Sequence, residues 1–547
     1  MRPLAWGGAL LALVVTGCAA SKPAPSATDA PGKPGAPATS SAGAGAMVAP
    51  TAPTAAATPL PAPGQPGPVL LPPSGQPLVS IQLRFRTGSV DDPDGQAGIT
   101  ALAAQVMFEG GTEKLTSQQL REALFPYAAD WSVRVDKELT TFAIRVHRDG
   151  LEKVSGLLAD ALTHPRWDPA EFARLRDAVI NDIEKRLRQG DDENLGKEAL
   201  GELMFAGHRY GWLTSGHVGD LRRLTLQTVR AHAGRVFTRD RLSIGIAGGY
   251  PADLEARLTA ALQGLPATGA PAAVLTRAVA HRPRFLLVEK QTDSMAISIG
   301  SPWALGRGDP DWAAMTVARS AFGEHRQFNG RLMQRLREVR GLNYGDYAYL
   351  ESFVQEGGLA PTAQTGRARR QQAFSIWIRP VQNENALFAL RAALYELQRS
   401  LGEEPFSDAE VARTRSFLDG YLLLFAQTDA RKLGYALDGQ LLEISDFLAR
   451  WRASVPAITT AQANEAWRRW VHPEEMQIVI VTPDATALKK AILANAPSPI
   501  HYPKDAQGKP REVSKAVSDA DAIIAAFPLG AQGDADVRIV KVNALFE

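Results

Sequence analysis

One cysteine, Cys18, serves all 547 residues. An internal disulfide is therefore impossible, and the body of the chain has no thiol for nucleophilic work. The nine histidines are scattered. No two lie three to five residues apart, so neither H-x-x-E-H nor H-E-x-x-H occurs. A G-x-S-x-G nucleophile motif is also missing. Charge of one sign is not in excess: 60 Lys and Arg face 58 Asp and Glu, which points away from nucleic acid as a partner. Long apolar runs are lacking too. The best candidate, Leu4 to Val15, falls short of the ~20 residues a membrane helix needs.

That run does fit the core of a signal peptide, with Arg2 as its short positive region. Val15-Thr16-Gly17-Cys18 follows and resembles a bacterial lipobox, in which the cysteine becomes the lipidated first residue. Residues 1–17 are thus expected to be a lipoprotein signal peptide and Cys18 the lipid anchor. Ala19 stands where an aspartate would favour inner-membrane retention, so the expected location is the periplasmic face of the outer membrane. Residues 18–68 are almost all Ala, Pro, Gly, Ser and Thr, with 12 prolines. So few large apolar groups cannot offset the entropy of ordering, and a disordered tether of about 40 Å end to end is expected.

Beyond residue 68 the composition is globular. The chain as a whole is 45% hydrophobic and 22% charged, ample for large cores and for two or more domains. Leu78 to Thr87 alternates Val79, Ile81, Leu83 and Phe85 with polar residues, a strand pattern. Trp131 to Val135, Thr140 to Val146 and Leu242 to Ala247 are further strands. Helices are expected over Gly150 to His164, Asp168 to Arg188, Leu224 to Phe237 and Ala252 to Leu265. The order then repeats: strands at Arg284 to Glu289 and Met295 to Ser301, then Asp309-Pro310-Asp311 ahead of a helix, as Asp92-Pro93-Asp94 stood before. Trp167 to Arg176 and Phe406 to Arg415 share an aromatic, a cap, Ala-Glu and Ala-Arg at one spacing, 239 residues apart. The pattern predicts an α+β chain of two tandem homologous α/β-sandwich domains, 69–265 and 284–547, joined by a linker at 266–283. A helix at Ala485 to Asn495 and a strand at Val537 to Val542 should pack back on the second.

Two stretches carry the functional reading. Gly98 to Thr112, GITALAAQVMFEGGT, puts Ile99, Leu102, Ala103, Val106 and Met107 on one apolar helical face, and Ala101, Ala104 and Gln105 on another. Gly330 to Tyr344, GRLMQRLREVRGLNY, reads as an amphipathic helix that buries Leu332, Leu336 and Val339, ends at Gly341 and turns its arginines to solvent.

Together these resemble the insulinase/pitrilysin family, the inverzincin zinc peptidases, over about residues 69 to 547. In active members the opening helix reads roughly G-x-x-H-x-x-E-H-x-x-F-x-G-T. Its histidines bind zinc and its glutamate is the general base. Aligned on Gly98, Phe108 and Gly110, those positions are Ala101, Ala104 and Gln105. Alanine offers no lone pair and glutamine is a poor zinc ligand. The family's third ligand, a glutamate on a later helix, aligns with Asp182, with Glu184 as the alternative. By contrast, Leu336-Arg337, Leu342 and Tyr344 keep the family's L-R-x-x-x-x-L-x-Y pattern, whose arginine and tyrosine bind substrate or the developing oxyanion.

With the zinc half erased and the arginine–tyrosine half kept, the resemblance implies the zinc-less subunit of a bacterial heterodimeric metallopeptidase. It would bind no cofactor itself and have no catalytic residue of its own. A zinc-bearing H-x-x-E-H paralogue would be its partner, a peptide the substrate, and the lipid its contact with the membrane. Two alternatives stay open: a scaffold or peptide-binding lipoprotein of the same fold with no proteolytic role, and a peptidase using an unrecognised metal site.

Overall fold

The computed structural model describes residues 58–353, 365, 367–502, 504, 508–509 and 511–547. The expected signal peptide, Cys18 and most of the tether lie outside the described residues. Among these, no helix is long and apolar enough to cross a membrane.

The first half runs β1 (Val69–Leu70), β2 (Leu78–Phe85), α1 (Ile99–Glu109), α2 (Ser117–Leu124), β3 (Asp130–Val135) and β4 (Thr140–His147). Then come α3 (Leu151–Thr163), α4 (Pro169–Asn181), a π-helical stretch (Asp182–Gly190), α5 (Asp192–Met204), α6 (Val218–Arg223), α7 (Leu226–Val236), β5 (Leu242–Gly248) and α8 (Leu254–Ala261). The second half opens with β6 (Phe285–Glu289), β7 (Ser294–Trp303), α9 (Trp312–Gly323), a second π-helical stretch (Met333–Glu338), β8 (Asp346–Tyr349) and β9 (Gln372–Gln382). It continues through α10 (Ala386–Leu401), α11 (Asp408–Phe425), α12 (Asp429–Leu442), α13 (Phe447–Ser454) and α14 (Thr460–Trp470). It closes with β10 (Gln477–Thr482), α15 (Ala485–Leu493), α16 (Lys515–Ala525) and β11 (Val537–Lys541).

The sheets make the duplication plain. The first has order β1-β5-β2-β4-β3 and the second β11-β6-β10-β7-β9-β8, the same order with one strand added. Among the five strands they share, the first is parallel to the last in sequence and the other pairs are antiparallel; the added β11 lies parallel to β6. Ile81 lies opposite Ile144 and Ile246 in the first sheet; Ile297 lies opposite Ile378 and Ile480 in the second. The echo seen in sequence is a pair of helix starts. Asp168 accepts from the N–H groups of Ala170 and Glu171 at 2.8 and 3.1 Å, and Ser407 forms a capping box with Glu410; both satisfy donors that a first turn leaves open.

The two halves are interlocked, which the sequence division at 266–283 did not anticipate. Helix α5, from the first half, packs on β7 and β10; α12, from the second, packs on β1, β2 and β5. Glycines allow the close approach. A Cβ on Gly196 would sit 3.2 Å from Ser298 Oγ, and one on Gly245 only 2.7 Å from Leu437 Cδ1. Neither α5 nor α12 was foreseen, because Gly196 and Gly201, like Gly434 and Gly439, weaken helix propensity and blur the apolar period. Nor were β8, β9 and α10.

Other boundaries shift as well. Residues 58–68, expected at the end of the tether, are fixed against the body: the Leu60 N–H donates to Leu275 O and that of Gly64 to Leu441 O, both at 2.9 Å. The expected linker is held in turn, with Leu275 buried and Thr276 bridged to Pro59. The single helix expected over Asp168 to Arg188 changes winding at Asp182. Arginines of the 330–344 stretch are not a solvated face. Arg331 and Arg340 are buried and pair with Glu410 and Asp521 at 2.7 Å, while Arg335 bonds Glu396 and Glu404. Their long side chains reach carboxylates on elements far along the chain, which periodicity does not register.

Gly98, just before α1, has φ +92°, and a Cβ there would lie 2.6 Å from Ser215 O. Gly98→Ala should therefore cost about 1–3 kcal/mol of unfolding free energy, read by urea denaturation.

Candidate functional site

Helix α1 is anchored at its N-terminus. The buried Asp92 carboxylate accepts from Gly98 N (2.7 Å), Thr100 N (3.0 Å) and Thr100 Oγ1 (2.5 Å). His232 Nε2 lies 2.7 Å from the same hydroxyl; because that hydroxyl donates to Asp92, the imidazole N–H donates to it. Nδ1 then has no partner. Burial pushes the imidazole down to about 4 and the Asp92 carboxyl up to about 7. A histidine that resists protonation in the fold but titrates near 6.5 when unfolded gives stability that is complete above pH 6.5 and is lost as pH falls towards 4. Asp92 works the opposite way, favouring the fold at low pH. His232→Asn should thus show a smaller loss of stability than wild type between pH 6.5 and 4, measured by urea midpoints.

Fixed in this way, α1 turns Ala101 and Gln105 to a central cavity of about 900 Å³. Ala104 does not join them: it is 0% exposed, in the core. The expected three-residue face is therefore split. Asp182, in the π-helical stretch, lines the same cavity, so the structure brings together three of the four positions at which the family builds its metal site. They do not fit zinc. Ala101 has no donor atom, and the Asp182 carboxylate is held by Arg186 at 2.7 Å. Glu184 pairs with Arg222, also at 2.7 Å. Among the described residues no three His, Cys, Asp or Glu side chains cluster as a metal site.

The opposite wall is the face of β9 that carries Ser375, Trp377 and Arg379. Lys197 of α5 lies 3.8 Å over the Trp377 ring, a cation–π contact, and Arg379 pairs with Glu193 at 3.4 Å. Arg369 and Asp136, both in the cavity lining, bond each other at 2.8 Å. Lys137 is buried, donates to the Trp212 carbonyl, and is pushed down to about 8 by burial. The sequence reading missed all of these. The signal was present in Ser375-Ile376-Trp377-Ile378-Arg379, whose strict alternation marks a strand with one apolar and one working face.

Arg337 and Tyr344 come together in space. The guanidinium lies 4.7 Å from the Tyr344 ring centre, and Arg379 approaches the same ring at 5.3 Å. Tyr344 is 63% exposed. Of this trio only Arg379 lines the cavity; the pair is not part of its lining, with the Tyr344 ring exposed and the Arg337 side chain half-buried.

Comparison with known proteins agrees with this construction. Residues 69–211 match "Insulinase (Peptidase family M16)" and residues 223–418 match "Peptidase M16 inactive domain". An uncharacterized zinc protease of Streptomyces coelicolor is 24% identical over 396 residues, 70% of this chain and 81% of its own length. The alpha subunit of the mitochondrial-processing peptidase of Rattus norvegicus is 23% identical over 198 residues, 36% of this chain and 37% of its own. In fold, the chain is similar to the crystal structure of a peptidase M16 inactive domain from Pseudomonas fluorescens, with TM-score 0.68 and 18% identity over 78% of this chain and 97% of the other. The chain belongs to the insulinase family, peptidase family M16, and is a peptidase-like protein with an inactive-type second domain.

Proposed function

We propose that this chain is the non-catalytic subunit of a heterodimeric zinc metallopeptidase, anchored by Cys18 on the periplasmic side of a bacterial outer membrane. The observation that carries the reading is the state of the α1 face: an alanine, a buried alanine and a glutamine, beside an aspartate already neutralised by Arg186. With no zinc-ligating set on this face, the hydrolytic metal belongs to a partner carrying H-x-x-E-H. Arg337 and Tyr344 serve that partner's site, which accords with their place outside this chain's own cavity and with the exposure of the Tyr344 ring. One relative is by name a peptidase subunit, which supports the same division of labour. The cavity, with the β3 edge beside it, supplies chamber wall and a strand edge on which an extended peptide can add.

The test is zinc content and peptide hydrolysis for this chain, for the H-x-x-E-H paralogue of the same genome, and for the two co-purified. The expected result is under about 0.1 zinc per molecule in this chain, against tight stoichiometric binding in the partner, with hydrolysis raised only in the complex. A stable homo-oligomer that neither binds the paralogue nor changes its rate would favour a scaffold instead. Stoichiometric zinc in this chain alone would make it a peptidase in its own right.

A further inference from the structure

An exposed tyrosine needs something to hold its ring if it is to meet a reacting group. Against the Tyr344 ring lie two guanidinium groups, Arg337 and Arg379, and they are restrained very differently. Arg337 pairs with its exposed neighbour Glu338 at 3.6 Å and touches Met333 Sδ at 3.7 Å, weak restraints beside solvent. Arg379 is gripped at both ends. Its backbone N–H donates to Gly345 O at 3.3 Å, and its carbonyl accepts from Asn343 Nδ2 at 3.1 Å. The chain on either side of Tyr344 is thus tied to β9 at this one residue. Asn343 Nδ2 also donates to the buried Asp346 at 2.7 Å, which closes the turn.

The other end of Arg379 is held by the first half of the chain. Glu193, in the first turn of α5, meets the Arg379 guanidinium with Oε2 at 3.4 Å and Lys197 Nζ with Oε1 at 2.7 Å. Lys197 is itself seated over the ring of Trp377, which precedes Arg379 by two residues on the same face of β9. The carboxylate is therefore fixed from one side by Lys197 and sets the direction of Arg379 from the other. The three charged side chains are between 17% and 27% exposed, and partly buried pairs are screened less than those in open solvent.

We propose that Glu193 is a positioning residue for Tyr344, acting through Arg379, so that a helix of the first half sets where the second half presents its tyrosine. Without that carboxylate the long Arg379 side chain regains its rotamer freedom beside a wide cavity, and the Tyr344 ring keeps only Arg337 beside it as a cation. Glu193 has two further roles, a negative charge at the N-terminus of α5 and an i,i+4 pair with Lys197. Both concern helix stability alone and predict no effect on Tyr344. The catalytic consequence rests on the subunit reading above; the positioning does not.

The experiment uses the purified chain, ¹³C-labelled in its tyrosine rings, with Tyr344→Phe to identify one signal among the ten. Glu193→Gln keeps the size of the side chain and removes its charge. It should shift the Tyr344 resonance in the direction that Arg379→Ala shifts it. The double variant should shift it no further than Arg379→Ala alone, because substitutions that act through one contact do not add. In the complex with the H-x-x-E-H paralogue, Glu193→Gln should lower kcat about tenfold, again without adding to Arg379→Ala. A Tyr344 signal unmoved by Glu193→Gln overturns the proposal, as do effects of the two substitutions that add. If the signal moves as stated while Tyr344→Phe leaves the rate of the complex unchanged, the positioning stands and the subunit reading is what fails.

Discussion

Asp438→Ala is expected to destabilise the fold by about 3–5 kcal/mol, an effect large for a single substitution. Asp438 lies on α12, fully buried, and its two oxygens take Arg84 at 2.7 Å and Arg307 at 3.0 Å. Arg84 is on β2 in the first sheet and Arg307 follows β7 in the second. One carboxylate therefore balances two buried guanidinium groups at the place where the halves interlock. Removing it takes from Arg307 one of the two carboxylates it pairs with and from Arg84 the carboxylate it pairs with. Restoring hydration to groups this deep is not possible without opening the interface, so the cost is that of uncompensated charge rather than of one lost hydrogen bond. Equilibrium urea unfolding measures it. Asp519→Ala, which breaks the exposed pair with Lys515, should change stability by no more than about 1 kcal/mol. Similar values for the two variants would mean that α12 is not the lock described above.

In the reconstituted complex, Arg337→Ala and Tyr344→Phe should each lower kcat for peptide hydrolysis by about 100- to 1,000-fold, the cost of removing one donor to a developing oxyanion. KM should change less, because the interaction strengthens as charge develops on the carbonyl oxygen. The geometry sets a condition on this outcome. In the free chain the Arg337 guanidinium rests on the rings of Tyr344 and Phe328, at 4.7 and 5.1 Å. Both groups must leave or reorient that stack when the partner docks. Arg379→Ala is the informative comparison: it faces this chain's own cavity and also touches the Tyr344 ring. If its loss matches that of Arg337→Ala, the working group is a trio rather than a pair. Unchanged rates in both Arg337→Ala and Tyr344→Phe would remove the assigned role.

Much of the architecture was legible along the chain. Alternation in 78–87 gave β2, the Asp168-Pro169 and Ser407 caps gave two matching helix starts, and the repeated order of elements gave the duplication that the paired isoleucine rows later made explicit. These are local properties: period, cap and turn chemistry act over a few residues. That Ala101 and Ala104 carry no donor atom and Gln105 only an amide was legible for the same reason, since it concerns which atoms exist rather than where they point. The resemblance then supplied the meaning of those positions.

What tertiary structure decided was everything that depends on which distant residues meet. The exchange of α5 and α12 between halves rests on close contacts at glycines, Gly196 of α5 against Ser298 of β7 and Gly245 of β5 against Leu437 of α12, and no periodicity announces it. Buried Arg331 and Arg340 look in sequence like solvent-facing arginines, because a guanidinium is tolerated inside only when a carboxylate arrives from elsewhere to pair with it. Ala104 was placed with its neighbours on one helical face, but the fold turned it inward and left Ala101 and Gln105 on the cavity. Sequence alone determined many of the elements, their duplication and which side chains stand at 101, 104 and 105; only the packed fold decided which charges are paired and where Arg337 and Tyr344 stand.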